Sequence, residues 1–215
     1  YSCNYFFYEM GYQLQMEKLN SYATQLGLGQ KTGIELPNEK AGILAGPESR
    51  EARGGEKWYA ADTLMAAIGQ SDHLFTPIQL ASYAMTMAND GVRYKTHLLH
   101  GLMGYDGVLK SDYVPVVEAT LSLSDEAIRT VREGMVAVGV SGTAAGQFRH
   151  APYTVACKTG TAQVSANRSD HGVFIAYAPA EAPQVAVAVV MENGTSRASS
   201  AVARQVLDAY FNAAG

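Results

Sequence analysis

The run VAVAVVM at 185–191 constrains the fold more than any other stretch of the chain. A half-buried strand alternates apolar and polar residues with a period of two. This run offers apolar side chains to both faces, as a strand covered on both sides does. It falls far short of the ~18 apolar residues a spanning helix needs. The spacing therefore predicts a strand inside a sheet, with a neighbour on each edge. Two further strands are predicted, over 153–164 and 172–178, with Pro179 and Pro183 bracketing the turn between the last two. If the sheet runs in chain order, these give the apolar strand one neighbour. A bare apolar edge invites unwanted pairing, so further strands are expected beside it from upstream.

Helices are predicted around this sheet. Residues 6–28 read as a helix with Met10, Leu14 and Leu26 among its apolar positions and Gly27 and Gly29 as its stop. Thr76-Pro77-Ile78-Gln79 is a helix start in which threonine caps, proline fills the first turn and glutamine completes a capping box. Ala81, Ala84, Met85 and Ala88 follow at helical spacing, and Gly91 ends the run. Ser124-Asp125-Glu126 opens another helix, its acidic first turn suited to the helix dipole, with Ile128, Val131, Met135 and Val138 as the apolar stripe. A last helix is predicted over 199–212. Residues 92–123 read as a hairpin region turning at Asp106-Gly107. Residues 30–61 read as a long polar, glycine-rich loop, of a length that in compact domains is often functional.

The 215 residues suit one domain, 1–215, and no repeat or linker divides it. With 47% apolar and 17% charged residues the chain folds rather than staying disordered. A net charge of −4 and scattered tyrosines argue against a nucleic-acid binder. No signal peptide opens the chain. Residues 1–4 read instead as the inside of a fold, as in a portion of a longer domain. Cys3 and Cys157 read as two small buried apolar residues, and a C-x-x-C is lacking. His97 and His100 have no partner carboxylate nearby in sequence, so no metal site is predicted. His171 reads as structural or as a cleft rim, and Arg197 as a solvated loop arginine.

The chemistry concentrates in Lys158-Thr159-Gly160-Thr161. Alternation puts the two threonine hydroxyls on one face. Gly160 admits a close backbone or ligand, and Lys158 adds a point charge able to hold a carboxylate or lower a neighbouring pKa. Taken alone, the pattern also fits a solvated edge strand. A P-loop needs glycine directly before the lysine, and Cys157 stands there. Ser2 and Asn4, at i and i+2 before a helix, taken alone fit simple capping.

In combination these motifs resemble the transpeptidase domain of penicillin-binding proteins, in its class B, monofunctional branch. The order is Ser2-Cys3-Asn4 as S-x-N, K-T-G-T about 150 residues later, and then the strand HGVFIAYAP. "GIELPNE", "IGQSDHLFTPIQLASYAMTMANDG", "VSGTAAGQF" and "VAVAVVMENG" extend the likeness over essentially the whole chain. The resemblance implies an α+β fold of the penicillin-binding protein/serine β-lactamase type: an antiparallel sheet flanked by helices, here lacking its N-terminal strands. The family's nucleophile lies in S-x-x-K. None of the seven lysines has a serine three places earlier. The chain thus reads as the C-terminal part of the domain, inactive alone and completed by the missing N-terminal part.

The implied activity is acyl transfer by a serine on D-alanyl-D-alanine stem peptides, in peptidoglycan cross-linking at the outer face of the bacterial cell membrane. Cofactors are not implied. Stem peptides, β-lactam antibiotics and a cell-wall synthesis complex are the implied partners. By this resemblance Lys158, Thr159 and Thr161 hold the substrate carboxylate, Gly160 lets it approach, and the Thr161 N–H gives half of an oxyanion hole. Ser2 relays a proton to the leaving group, and Asn4 holds the substrate's acylamide. Cys157, where relatives often carry a very small residue, is expected to tighten the cleft slightly. A non-catalytic penicillin sensor and a serine β-lactamase are the alternative readings; the T-P-x-Q-L-A region and the E-L-P-N-E loop argue against the latter.

Overall fold

Val185–Met191 forms β7 in the computed structural model, which describes residues 2–164 and 168–213. It pairs antiparallel with β6 (His171–Ala178), which pairs antiparallel with β5 (Ala156–Ala162), giving the order β5-β6-β7. Both faces of β7 are covered, by α4 (Pro77–Ala88) on one side and α7 (Ser196–Ala213) on the other. The sheet runs in chain order, so among the described residues β7 has the one neighbour expected, β6, and its other edge is open. Residue 1, the first of the opening segment read as the inside of a fold, lies outside the described residues.

Each face of the sheet carries its own core. One is built from Phe174, Ala176 and Ala178 of β6, Cys157 of β5 and Val187 of β7, against Ala203 and Leu207 of α7 and Phe148 of α6 (Ala145–Phe148). Phe148 and Phe174 stack at 5.5 Å between ring centroids. Ser199, Ala203 and Leu207 recur every four residues and are all buried, so one face of α7 lies flat on the sheet. The opposite core joins Tyr177 and Ala156 to Ile128 and Met135 of α5 (Asp125–Val140) and to Met87 of α4. Burying side chains such as Phe174 and Leu207 contributes roughly 1.5–3 kcal/mol each.

Several local expectations are corrected. Val131 is 43% exposed, so the buried stripe of α5 runs through Ile128, Met135 and Val138. On α4 the buried set includes Gln79, Ser82 and Thr86 beside Ala84 and Met87, because its polar groups find partners. Gln79 completes the expected box with Thr76 and also donates to the carbonyls of Gln30, at 2.5 Å, and Ala41, at 2.7 Å. This one buried amide pins the long loop to the helix. Within the loop the Glu39 carboxylate takes the N–H and hydroxyl of Thr32, both at 2.7 Å, and the N–H of Gly33. The stretch read as one loop also contains α2 (Pro47–Glu51) and the start of α3 (Ala60–Ala67). Two short antiparallel pairs form the hairpin region: β1 (Val92–Tyr94) with β4 (Val117–Thr120), and β2 (Gly101–Met103) with β3 (Leu109–Asp112). Gly107 makes the turn at φ +73°.

The first helix, α1, spans Asn4–Gln25 and is broken where Gln15 leaves the helical region. It packs on α3 closely enough that a Cβ at Gly11 would sit 2.2 Å from the Ala67 Cβ. This α1–α3 pair is the unit that meets the free edge of β5.

Candidate active site

β5 changes character along its length. Ala156 and Cys157 are fully buried, whereas Lys158 to Ala162 are half-buried or exposed. One edge is zipped to β6, with Lys158 opposite Ile175 and Thr161 opposite Gly172. Among the described residues no strand pairs with the other edge, where the Thr159 and Thr161 carbonyls accept from side chains instead.

The Lys158 Nζ donates to the Ser2 Oγ at 3.1 Å and to the Thr159 carbonyl at 2.7 Å. Two motifs 156 residues apart are thus brought together at the foot of α1. Burial pushes the Lys158 ammonium below its ordinary value of 10.5. Near neutral pH its neighbour Cys157 is an uncharged thiol, because burial pushes it up to about 12, and a Cys157 thiolate would raise the ammonium's pKa only at strongly alkaline pH. Among the described residues Lys158 forms no ion pair, although eight other cation–carboxylate pairs stand elsewhere in the fold. A partly desolvated ammonium with neutral partners alone is suited to an incoming anion.

The Thr159 hydroxyl meets the Thr143 hydroxyl at 2.8 Å. Thr143 lies between α5 and α6, so the G-T-A segment braces the K-T-G strand directly. Gly160 sits opposite Val173, where a Cβ would come 3.3 Å from the Val173 Cβ; cross-strand packing is therefore a second reason for its missing side chain. Thr161 is exposed at the end of the free edge, and its carbonyl accepts from the Gln70 Nε2 at 2.8 Å. Asn4 is exposed as the first residue of α1, two residues from the Ser2 contact. The larger concavities lie elsewhere. The one of about 840 Å³ is lined by Asp90, Arg132, Tyr177 and Glu181 behind α5 and shares no residue with this edge. The chemistry, not the volume, marks the site.

Some readings are corrected here. Cys157 does not narrow a cleft, since its side chain lies in the core beneath Gly139 of α5, whose missing Cβ would otherwise strike the Val155 carbonyl at 2.9 Å. Cys3 is exposed, not buried, and both thiols are free. Arg197 is exposed as expected but helical, because α7 begins at Ser196. His171 opens β6, and its Nδ1 accepts the Asn193 N–H at 3.1 Å. His97 stacks on Tyr113 at 3.3 Å. Among the described residues no three His, Cys, Asp or Glu side chains cluster to hold a metal, and no helix is long and apolar enough to cross a membrane.

Comparison with known proteins agrees with this geometry. Residues 1–212 match the family described as the penicillin binding protein transpeptidase domain. The chain belongs to that family, in its class B branch. It is 35% identical over 222 residues to peptidoglycan D,D-transpeptidase MrdA of Acinetobacter baumannii, covering 96% of this chain and 33% of the relative. To penicillin-binding protein 2A of Bacillus subtilis it is 33% identical over 215 residues, covering 91% of this chain and 28% of the relative. Among solved structures, Pseudomonas aeruginosa PBP2 in complex with WCK 5153 superposes with a TM-score of 0.81 at 34% identity, over 96% of this chain and 46% of that one. The imipenem acyl-enzyme complex of penicillin-binding protein A from M. tuberculosis gives 0.79 at 32% identity, over 98% and 45%. PBP2 of Helicobacter pylori in complex with MreC gives 0.77 at 31%, over 96% and 38%. The chain spans about a third of the length of the curated relatives it matches.

Proposed function

We propose that this chain forms the carboxylate-binding wall of a peptidoglycan D,D-transpeptidase active site. Its nucleophile comes from an S-x-x-K serine outside these 215 residues. The serine attacks the carbonyl of the penultimate D-alanine, the C–N bond to the terminal D-alanine breaks, and an acyl-enzyme forms. An amine of a second stem peptide then displaces the serine. Lys158, with the hydroxyls of Thr159 and Thr161, holds the terminal carboxylate of the donor, or that of a β-lactam. Gly160 leaves room for its approach. The Thr161 N–H and the nucleophile's own N–H receive the oxyanion, where losing one donor raises the barrier by about 3 kcal/mol. Ser2 passes the proton to the leaving amine, with the Lys158 ammonium keeping its proton affinity low. Asn4 holds the acylamide of the substrate.

The observation that carries this reading is the Lys158 ammonium, partly desolvated, on the Ser2 hydroxyl and without a carboxylate partner among the described residues. It supports an anion site beside a proton relay. The protein would work at the extracytoplasmic face of the cell membrane within a cell-wall synthesis complex. The relative solved in complex with MreC motivates the membership of a complex. A fluorescent penicillin tests the reading: full-length protein should acquire a covalent label that turns over slowly, and this chain alone should acquire none. Rapid hydrolysis of the label would indicate a β-lactamase, and no label on the full-length protein would indicate a binding module without catalysis.

A further inference from the structure

The free edge of β5 is held at both ends by the same α1–α3 unit. Ser2, just before α1, takes the Lys158 ammonium. Gln70, just after α3, reaches the other end, where its Nε2 donates to the Thr161 carbonyl at 2.8 Å and its Oε1 accepts from the Gln163 N–H at 3.4 Å. These two backbone groups belong to residues i and i+2. That is the pair a neighbouring strand would engage. The side-chain amide therefore substitutes for a strand over one repeat of the ladder.

Gln70 is itself firmly placed. Gly69 ends α3 at φ +82°, and no atom lies within 4 Å of where its Cβ would be, so the left-handed turn explains the glycine. The Gly69 N–H returns to the Ala66 carbonyl and the Gln70 N–H to the Met65 carbonyl, at 2.9 and 3.0 Å, which is the six-to-one closure of a helix C-terminus.

A strand residue's N–H and C=O point to the same side. The Thr161 N–H thus faces the free edge together with the carbonyl that Gln70 holds. Glycine, the most permissive residue in the strand, immediately precedes it. Braces stand on either side of that glycine: Thr143 on the Thr159 hydroxyl, and Gln70 on the Thr161 carbonyl. We propose that Gln70 is a positioning residue that fixes the direction of the Thr161 N–H, the oxyanion donor, through the carbonyl of the same residue. The inference rests on the transpeptidase reading above. Its specific consequence is that Gln70, which touches the Thr161 backbone and neither its hydroxyl nor Lys158, serves the bond-making step more than the capture of the carboxylate.

The test is the acylation kinetics of the full-length protein with a fluorescent penicillin, resolved into initial binding and the acylation step. Gln70→Met keeps the length of the side chain and removes both hydrogen bonds. It should slow acylation about tenfold, as expected for a donor displaced by a fraction of an ångström, with initial binding within about twofold and an unchanged melting temperature. Gln70→Glu keeps the acceptor for Gln163 and sets a carboxylate against the Thr161 carbonyl. Protonation restores a donor there, so the rate of the Glu variant relative to the native protein should rise from about pH 8 to about pH 5, while that of the Met variant stays flat. A Met variant acylated within about twofold of the native rate, or a Glu variant with a flat ratio, would overturn the role of Gln70 alone. A native protein that takes no label would overturn the transpeptidase reading, and this inference with it.

Discussion

Replacing Lys158 by methionine should weaken function while leaving the fold as stable as before or more so. The side chain keeps its unbranched stem and loses only the ammonium. In the folded chain that ammonium gives up water for one hydroxyl and one carbonyl, at 3.1 and 2.7 Å. Burial outweighs what these neutral partners return, since the group titrates below its ordinary 10.5. A lysine depressed in this way binds its proton less readily folded than unfolded, so its charge opposes folding. The penalty is fully present below the folded-state pKa and fades as pH rises through that value towards 10.5. The Met variant should therefore melt no lower than the native protein near neutral pH, with any advantage vanishing at alkaline pH. Acylation should respond in the opposite sense. A hydrogen bond between charged partners is worth about 1.5–3 kcal/mol, which corresponds to a loss of roughly 10- to 150-fold in the second-order acylation rate. The assay is the acylation rate of the full-length protein by a penicillin and by its methyl ester, with melting curves alongside. The native protein should prefer the free acid, and the variant should lose that preference. A Met variant that still discriminates acid from ester, or that loses stability and activity together, would refute the reasoning.

In the native protein, capture of the free acid should weaken on the alkaline side before a solvent-exposed lysine would titrate, and a profile flat up to 10.5 would contradict the burial of Lys158. Gly172→Ala should lower the melting temperature by about 3–10 °C, because the new Cβ would lie 2.2 Å from the Thr195 carbonyl oxygen at the β6–α7 contact. Asp208 accepts from Tyr153 at 2.6 Å and from the Arg204 Nε at 2.8 Å, tying α7 to the segment that leads into β5. Burial raises its pKa, but the Tyr153 and Arg204 hydrogen bonds outweigh this and leave it below 3.8. Asp208→Asn should therefore destabilise the chain by about 1–2 kcal/mol at neutral pH. Calorimetry should show that difference shrinking as pH falls below 3.8, through the lowered folded-state value.

The parts of the fold that bury apolar side chains were legible in the residues, because burial leaves an apolar trace, periodic on a helix buried on one face and continuous on a strand covered on both. The 185–191 strand matched its expected bounds, and the Thr76–Gln79 box opened α4 where its capping chemistry required. What escaped was held by polar groups. Gln79, Ser82 and Thr86 are buried on α4 although no hydrophobic period marks them. α3 starts where the Asp62 carboxylate takes the Tyr59 N–H at 2.8 Å, without a side-chain cap from Tyr59, and tyrosine is not a residue that signals a cap. At the site, the family likeness drew attention to Ser2 and Lys158, and the fold joins them. The braces Thr143 and Gln70 lay inside quoted motifs without a role, because a side chain that bonds to a backbone 91 residues away leaves no mark in local sequence. The one available signal was Gly69-Gln70 at the end of a helix, where a glycine stop fixes the direction of the next side chain.

A crystal structure of the full-length protein acylated by a penicillin bears most directly on the central claim. The account predicts the ligand's carboxylate within hydrogen-bonding distance of the Lys158 Nζ and the Thr159 hydroxyl, and its former lactam carbonyl on the Thr161 N–H. A carboxylate pointing into solvent or held by other cations, with the outer edge of β5 untouched, would contradict it.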